Sequence, residues 1–173
     1  SPRLSTERER ISNLVNDNEI IVNMFGGIGM FSILAAKKKS CIVYNIDINP
    51  HASKLCEENI RLNNLKGDVI SLNGDARDII DSKLQNSANR VLMLLPERSD
   101  EFLDAAILSL KKNGILHYYS HIHADKKQDA PKLSEQHFLN VSSFNSRITN
   151  SKIVRPVGPR FYQTVIDVNI EKN

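Results

Sequence analysis

Three short segments combine glycines and carboxylates at intervals that suit an adenosine group. Gly27-Ile28-Gly29 follows one buried hydrophobic run, Asp47 ends the next run 18 residues later, and Gly74-Asp75 follows a third. Glycines let the backbone approach a ligand closely, and the helix that follows them offers free amides. A carboxylate at the second position accepts both hydroxyls of a ribose, and one at the third receives an adenine amino group. Together the three segments predict a bound adenosine cofactor.

The glycine turn also indicates which adenosine cofactor is expected. The dinucleotide fingerprint requires a third glycine near position 32, where this chain has Ser32. No Gly-Lys-Ser/Thr follows the turn, so a nucleotide phosphate loop is absent from the sequence. A short glycine turn suits a ligand without pyrophosphate. The sequence therefore favours S-adenosylmethionine.

Alternating hydrophobic patterns predict the elements that must position these residues. Strands are expected over residues 19–25, 41–46, 68–72, 90–95, 114–120, 147–154 and 164–170. Helices are expected from a capping box at Thr6 and Glu9, and over residues 31–36, 50–63, 100–110 and 132–144. This alternation predicts an α/β protein with a mostly parallel sheet. The last two strands have a short connection and are expected to form an antiparallel hairpin at the sheet edge.

Composition excludes several classes of protein. The 173 residues are 40% hydrophobic and 25% charged, which is typical of one globular domain. No apolar run approaches the ~20 residues of a membrane helix, and no signal pattern is present, so we expect a cytoplasmic protein. Neither the two cysteines nor the histidines have metal-ligand spacing, so no metal is expected.

The positive charge of the chain is concentrated in its last third. Residues 111–173 carry 10 basic and 5 acidic side chains, whereas residues 1–110 carry 13 and 15. Such a basic segment is compatible with a polyanionic partner such as RNA. It is also compatible with a solvated surface that has a modest excess of lysine, and charge alone favours this second interpretation.

Motifs along nearly the whole chain resemble the archaeal and eukaryotic tRNA (guanine-N1)-methyltransferases, which modify the guanine 3′ to the anticodon, nucleotide 37. The similar segments begin with Ser1-Pro2-Arg3-Leu4-Ser5-Thr6-Glu7-Arg8 and Asn23-Met24-Phe25-Gly26-Gly27-Ile28-Gly29-Met30-Phe31-Ser32-Ile33. They continue with Tyr44-Asn45-Ile46-Asp47-Ile48-Asn49-Pro50, Glu58-Asn59-Ile60-Arg61-Leu62-Asn63, Gly74-Asp75-Ala76-Arg77, Glu101-Phe102-Leu103-Asp104, Ile115-Leu116-His117-Tyr118-Tyr119 and Val154-Arg155-Pro156.

The resemblance implies a Rossmann-like, class I S-adenosylmethionine-dependent methyltransferase fold. It implies that residues 1–173 form one catalytic domain, expected to be a monomer, and that the family's N-terminal RNA-recognition segments lie before Ser1. It implies tRNA as partner and S-adenosylmethionine as cofactor. The implied cofactor-binding residues are Phe25, Gly27, Gly29, Asp47, Ile48, Asp75 and Ala76.

The resemblance also implies residues that act on the target base. Methylation of guanine N1 requires a base that takes the N1 proton and a donor that stabilises charge at O6. The resemblance assigns Glu7 as the base and Arg3 as the O6 donor, and Pro96 shapes the turn after the fourth strand. Glu7 is expected to need a raised pKa or help from substrate binding. From the residues alone, this segment is an exposed Arg/Glu-rich helix start.

A segment near the C-terminus matches a family region that faces RNA. In it, Arg155 and Arg160 are expected to pair with phosphates, and Tyr162 to stack on an unpaired base. An ordinary hairpin turn with surface charges is the equally weighted alternative.

Two positions depart from the family pattern. Leu94 stands where the family usually has an asparagine that orients the target base, and leucine can neither donate nor accept a hydrogen bond. Asn23 stands where an aspartate is common. The asparagine at position 23 can still hydrogen-bond the loop or the cofactor. The departure at Leu94 leaves two alternatives open. One is the sister reaction, in which the aminocarboxypropyl group of S-adenosylmethionine is transferred in wyosine synthesis. The other is a catalytically weak module that binds cofactor and RNA.

Overall fold

The computed structural model describes residues 2–173, with side chains from residue 3 onward, and its centre is a single sheet. Within that range the sheet has seven strands: β1 (Ile20–Met24), β2 (Ile42–Asp47), β3 (Asp68–Asn73), β4 (Ala88–Met93), β5 (Leu110–His123), β6 (Asn145–Gly158) and β7 (Phe161–Glu171). Their order is β3-β2-β1-β4-β5-β7-β6. The first five strands pair in parallel, and β7 pairs antiparallel with both β5 and β6.

In the part of the chain that the structure describes, six α-helices cover the two faces of the sheet. They are α1 (Pro2–Leu14), α2 (Met30–Lys38), α3 (Pro50–Arg61), α4 (Ala76–Ile79), α5 (Ser99–Ser109) and α6 (Ala130–Val141). Strand side chains alternate between the faces, so neighbouring residues enter different cores. Ile21 packs with α1, α2 and α3, whereas Val22 packs with α4, α5 and α6. The strand order reverses between β1 and β4, which is where ligands bind in open α/β sheets.

The expected α/β fold, with its parallel sheet and C-terminal antiparallel hairpin, is confirmed. The capping box at Thr6 is wrong as a helix start, because α1 begins at Pro2 and Thr6 lies inside it. Proline suits a first helical turn, whose amide would have no intrahelical acceptor. Strand β5 is also longer than expected, because its pairing with β7 continues to His123.

Candidate active site

The glycine turn after β1 is held in a conformation that side chains rarely adopt. Gly29 has φ +92°, and a Cβ there would lie 2.6 Å from Cys56 Sγ. Gly27 has φ +59°, and open space lies where its Cβ would be. The Gly27 amide donates to Asp47 Oδ2 at 2.8 Å, and the Asn49 amide donates to Asp47 Oδ1 at 2.9 Å. Each carboxylate oxygen of Asp47 is therefore fixed by one amide and keeps a lone pair for a ligand hydroxyl.

A buried polar trio lies beneath this turn. Asn23 Nδ2 donates to Ser32 Oγ at 2.8 Å, and Ser32 Oγ donates to Asn45 Oδ1 at 2.7 Å. Asn45 Nδ2 then donates to the carbonyl of Gly27 at 3.2 Å. In the described part of the chain nothing donates to Asn23 Oδ1, which is fully buried. The side chain of Asn23 therefore supports the glycine turn, and its Oδ1 is an acceptor without a donor among the described residues.

The ends of β1, β2 and β3 enclose a cavity, here called the cofactor cavity. Its lining is Phe25, Ile46, Asp47, Ile48, Gly74, Asp75, Ala76, Leu95, Arg98 and Phe102. Phe25 has φ +60°, an unusual value for a bulky residue, and its ring meets Phe102 edge-on at 5.0 Å. Asp75 Oδ1 accepts the Asp78 amide at 3.1 Å and so caps α4. The structure thus brings five of the seven predicted cofactor residues to one cavity, and the other two form the turn beside it.

Two further cavities follow the cofactor cavity along the sheet edge. The middle cavity, about 360 Å³, is lined by Leu4, Phe31, Leu94, Leu95, Pro96, Glu97, Tyr119, His121, Arg155 and Gln163. The basic cavity, about 330 Å³, is lined by Arg3, Thr6, Glu7, Lys127, Lys152, Ile153, Val154, Arg155 and Pro156. Leu95 borders the cofactor and middle cavities, and Arg155 borders the middle and basic cavities. The three cavities are therefore neighbours.

Glu7 is buried, and its carboxylate is surrounded by donors. Arg10 binds both oxygens, at 2.8 and 2.9 Å, and the Tyr119 hydroxyl donates to Oε2 at 2.6 Å. Lys152 Nζ lies 3.4 Å from Oε1. Burial by itself raises the pKa of Glu7, but the hydrogen bonds from Arg10 and Tyr119 and the charges of Arg10 and Lys152 outweigh it, so the pKa is lowered. Of the two expected alternatives for Glu7, the raised pKa is wrong, and help from substrate binding stays a prediction.

A chain of buried and partly buried polar groups continues from Glu7 through the sheet. Arg10 Nη1 donates to Asp167 Oδ2 at 2.6 Å, and Asp167 Oδ1 lies 2.6 Å from His117 Nδ1. His117 Nε2 lies 2.8 Å from Arg90 Nη1, and Arg90 pairs with Glu19 at 2.8 Å. Because arginine only donates, Nε2 must accept and Nδ1 must carry the proton, so the imidazole is neutral. Burial, foremost, lowers the pKa of His117 and agrees with this assignment.

The three predicted RNA-binding residues do not lie together. Arg155 borders two cavities, and its Nε donates to Gln163 Oε1 at 2.8 Å. Tyr162 precedes Gln163 in β7 and therefore points to the opposite face of the sheet. Arg160 lies in the turn before β7, 72% exposed and 3.7 Å from Asp125. Of the three, the structure brings Arg155 alone to the cavities.

A comparison with known families matches residues 1–137 to the TRM5/TYW2 methyltransferase domain. This chain belongs to the TRM5/TYW2 methyltransferase family. The tRNA (guanine(37)-N(1))-methyltransferase Trm5b of Methanocaldococcus jannaschii is 38% identical over 172 residues, which are 99% of this chain and 47% of that protein. The tRNA(Phe) (4-demethylwyosine(37)-C(7)) aminocarboxypropyltransferase of the same organism is 31% identical over 167 residues, 96% of this chain and 66% of that protein.

Solved structures of TRM5/TYW2 proteins have the same fold. A complex of aTrm5 and tRNALeu superposes with a TM-score of 0.82 at 34% identity, over 99% of this chain and 47% of that one. M. jannaschii TYW2 in complex with AdoMet superposes with a TM-score of 0.83 at 29% identity, over 100% of this chain and 78% of that one. This TRM5/TYW2 chain spans about half the length of the Trm5b relatives that it matches.

Two further properties of this TRM5/TYW2 chain concern metals and membranes. Over residues 2–173 no three His, Cys, Asp or Glu side chains are grouped so that they hold a metal ion. Across the same residues no helix has both the length and the apolar character needed to cross a bilayer.

Sequence reasoning missed several residues that the fold brings to the cavities. Asp167 holds Arg10, and Lys127 and Lys152 line the basic cavity. Arg10 follows Glu7 at the three-residue spacing of a helical ion pair, which is a signal that the sequence does contain. Asp167 has no such signal, because 157 residues separate it from Arg10.

Proposed function

We propose that this chain transfers a methyl group from S-adenosylmethionine to N1 of guanine 37 in tRNA. The observation that carries the proposal is the adjacency of the three cavities, with Leu95 shared by the first two and Arg155 by the last two. A methyl donor in the cofactor cavity would lie beside a base in the middle cavity. Relatives named for this reaction and a tRNA complex with the same fold support it.

The residues of the cofactor cavity fit S-adenosylmethionine. Asp47 keeps free lone pairs for two ribose hydroxyls, Ile48 and Phe25 supply apolar surfaces for adenine, and Asp75 and Ala76 border the same space. Gly27 has open space at its missing Cβ, which lets a ligand approach the backbone. S-adenosylmethionine, when bound, supplies a methyl group on a positively charged sulfur. The chain's part is to hold that group beside the middle cavity.

Arg3, Glu7 and Pro96 are proposed to act on the guanine. Arg3 would donate to O6, where negative charge develops as N1 loses its proton. Glu7 would be the final acceptor of that proton, since its lowered pKa keeps it ionised at neutral pH. Pro96 begins a short 3-10 helix at Pro96–Arg98 and lines the middle cavity, so it would shape the place where the base lies.

The basic cavity is proposed to receive RNA phosphates. Arg3, Lys127, Lys152 and Arg155 line it, and Glu7, the acidic residue in its lining, is already paired with Arg10. Four cations around one cavity suit the phosphates that flank an unstacked nucleotide. Arg160 and Tyr162 lie outside this cavity, and their RNA contacts remain predictions. We also propose that the protein acts as a cytoplasmic monomer, which stays a prediction.

Leu94 favours a second candidate, the aminocarboxypropyl transfer of wyosine synthesis. It lines the middle cavity without a hydrogen-bonding group, and the sister enzymes are expected to depart from the asparagine at this place. An aminocarboxypropyltransferase relative at 31% identity is consistent with this candidate. We rank it below N1 methylation, because the Trm5b relative is more similar to this chain at 38% identity.

Two parallel labelling reactions test the proposal. The chain is incubated with an unmodified tRNA transcript and S-adenosylmethionine labelled in the methyl group or in the carboxyl carbon. Methyl label recovered as N1-methylguanosine, and lost when guanine 37 is replaced by adenine, supports N1 methylation. Carboxyl label on a wyosine-precursor tRNA, without methyl label on the guanine transcript, supports the second candidate. Neither label, with cofactor binding intact, refutes both and favours the catalytically weak module that binds cofactor and RNA.

A further inference from the structure

The cavity beside the cofactor contains Tyr119 but not Glu7. Tyr119 lines the middle cavity together with Leu94 and Pro96, whereas Glu7 lines only the basic cavity. The Tyr119 hydroxyl nevertheless lies 2.6 Å from Glu7 Oε2. A base placed against Pro96 is therefore separated from the buried carboxylate, and Tyr119 connects the two, because it lines the middle cavity and its hydroxyl donates to Glu7.

Polar groups in the middle cavity narrow the possible routes for the N1 proton. Its polar lining is Glu97, Tyr119, His121, Arg155 and Gln163. Among the contacts that the described residues make, Tyr119 is the one of these five that hydrogen-bonds to Glu7. A phenol has one donor and two lone pairs, so Tyr119 can donate to Glu7 and still accept from N1. Leu94, which packs in the same cluster as Tyr119, has no group that competes for that proton.

We propose, on the basis of the proposed function, that Tyr119 is a catalytic residue that relays the guanine N1 proton to Glu7. As the methyl group bonds to N1, the N1–H bond breaks and its proton bonds to the Tyr119 oxygen. The original Tyr119 proton moves at the same time to Glu7 Oε2. The neutral phenol is restored, Glu7 becomes a neutral acid that later releases its proton to water, and the sulfur recovers the electron pair of its bond to the methyl group.

The surroundings of the dyad hold it in the geometry that a relay needs. Tyr119 is 1% exposed and packs against Leu4, Leu94, Val154 and Val165. Arg10 grips both oxygens of Glu7 and is itself held by Asp167, so the carboxylate cannot rotate freely toward the middle cavity. Burial, with the neighbouring Glu7 charge, raises the pKa of Tyr119 well above its usual value, so the phenol keeps its proton until one replaces it.

The test compares Tyr119→Phe with Tyr118→Phe, which removes the neighbouring hydroxyl on the opposite face of the sheet. Methyl transfer is measured in single turnovers on the unmodified transcript. We expect Tyr119→Phe to be slower by about 10²–10⁴-fold, with cofactor and tRNA affinities changed less than about twofold, and Tyr118→Phe to be near wild type. The deficit of Tyr119→Phe should shrink as the pH rises, because hydroxide then ionises N1 without a relay. Tyr119→Phe and Glu7→Gln should be non-additive.

A second readout requires no cofactor. Loss of the Tyr119 hydrogen bond should raise the pKa of Glu7, followed by NMR of the labelled carboxyl group, relative to wild type and Tyr118→Phe. An unchanged Glu7 pKa, a rate deficit that does not vary with pH, or a larger loss in Glu97→Gln than in Tyr119→Phe overturns the relay while wild-type N1 methylation stands. If the wild type methylates no guanine N1, the proposed function fails first, and the relay falls with it.

Discussion

Two carboxylates of the site are held in opposite ways. Asp47 lies on the cofactor side, which is the cofactor cavity, and Glu7 lies on the proposed target-base side, which comprises the middle and basic cavities. Asp47 is fixed by two backbone amides and keeps lone pairs for a ligand. Glu7 is bound by Arg10 and Tyr119, and its oxygens have no comparable freedom. The first side is preorganised for a small molecule by local backbone geometry. The second side keeps its acid ionised by a charge network and, in the proposed relay, exchanges protons through Tyr119.

The largest effect should come from removing the charge of Glu7. Glu7→Gln keeps the size of the side chain but removes the proton acceptor, so methyl transfer should slow by about 10²–10⁴-fold with unchanged cofactor affinity. Single-turnover kinetics and calorimetric binding of S-adenosylmethionine measure the two quantities. Glu9→Gln is the matched control, because Glu9 is exposed and pairs with Lys38. Equal rates in the wild type and Glu7→Gln would remove Glu7 from the mechanism.

The next largest effect should be a loss of cofactor affinity on removal of the Asp47 carboxylate. Asp47→Ala removes the ribose acceptors and the bond that holds Gly27, so S-adenosylmethionine should bind about 100-fold more weakly, or about 2.7 kcal/mol. Asp68→Ala, at the exposed start of β3, should bind normally. Titration calorimetry on folded variants measures the affinities. A full-affinity Asp47→Ala variant would show that the cofactor lies elsewhere.

The series of polar groups that runs from Glu7 to His117 should make the free energy of unfolding depend on pH. The folded pKa of His117 is lowered, mainly by burial, so below about pH 6.5 the unfolded chain binds a proton that folded His117 does not. Stability should therefore fall by up to about 2 kcal/mol between pH 7 and pH 5. Denaturant unfolding at several pH values measures the slope of stability against pH. This slope should be smaller in His117→Gln and unchanged in His51→Gln. A slope that survives in His117→Gln would assign it to other groups.

The smallest effect should come from the rim of the basic cavity. Lys127→Ala removes one cation from the lining and should weaken RNA binding only a few-fold. It should also reduce the slope of log affinity against log salt by about 0.7–0.9. Lys132→Ala on α6 is the matched control, since Lys132 is exposed and outside the lining. Identical salt slopes for the two variants would place the RNA phosphates elsewhere.

The cofactor side could be predicted from the sequence because its signals are local. A glycine turn after a buried strand, and acids at the next two strand ends, specify which residues meet once parallel strands align. Asp47 and Asp75 accordingly line one cavity, together with Phe25, Ile48 and Ala76, which the family resemblance implies. The predicted start of α1 at Thr6 is wrong for a local reason as well. Proline is favoured in the first turn of a helix, and α1 begins at Pro2.

The sequence by itself determined the order of strands and helices, the glycine turn and the acids at its edge, since each follows from periodicity or from one residue's backbone preference. Only the tertiary structure decided the state of Glu7. Its partner Tyr119 is 112 residues away, and Asp167, which holds Arg10, is 157 residues from it. The direction of a pKa shift depends on such partners and on burial, and both exist only after distant segments pack. The same packing turned Tyr162 to the far face and placed Lys127 beside Arg3 in one cavity.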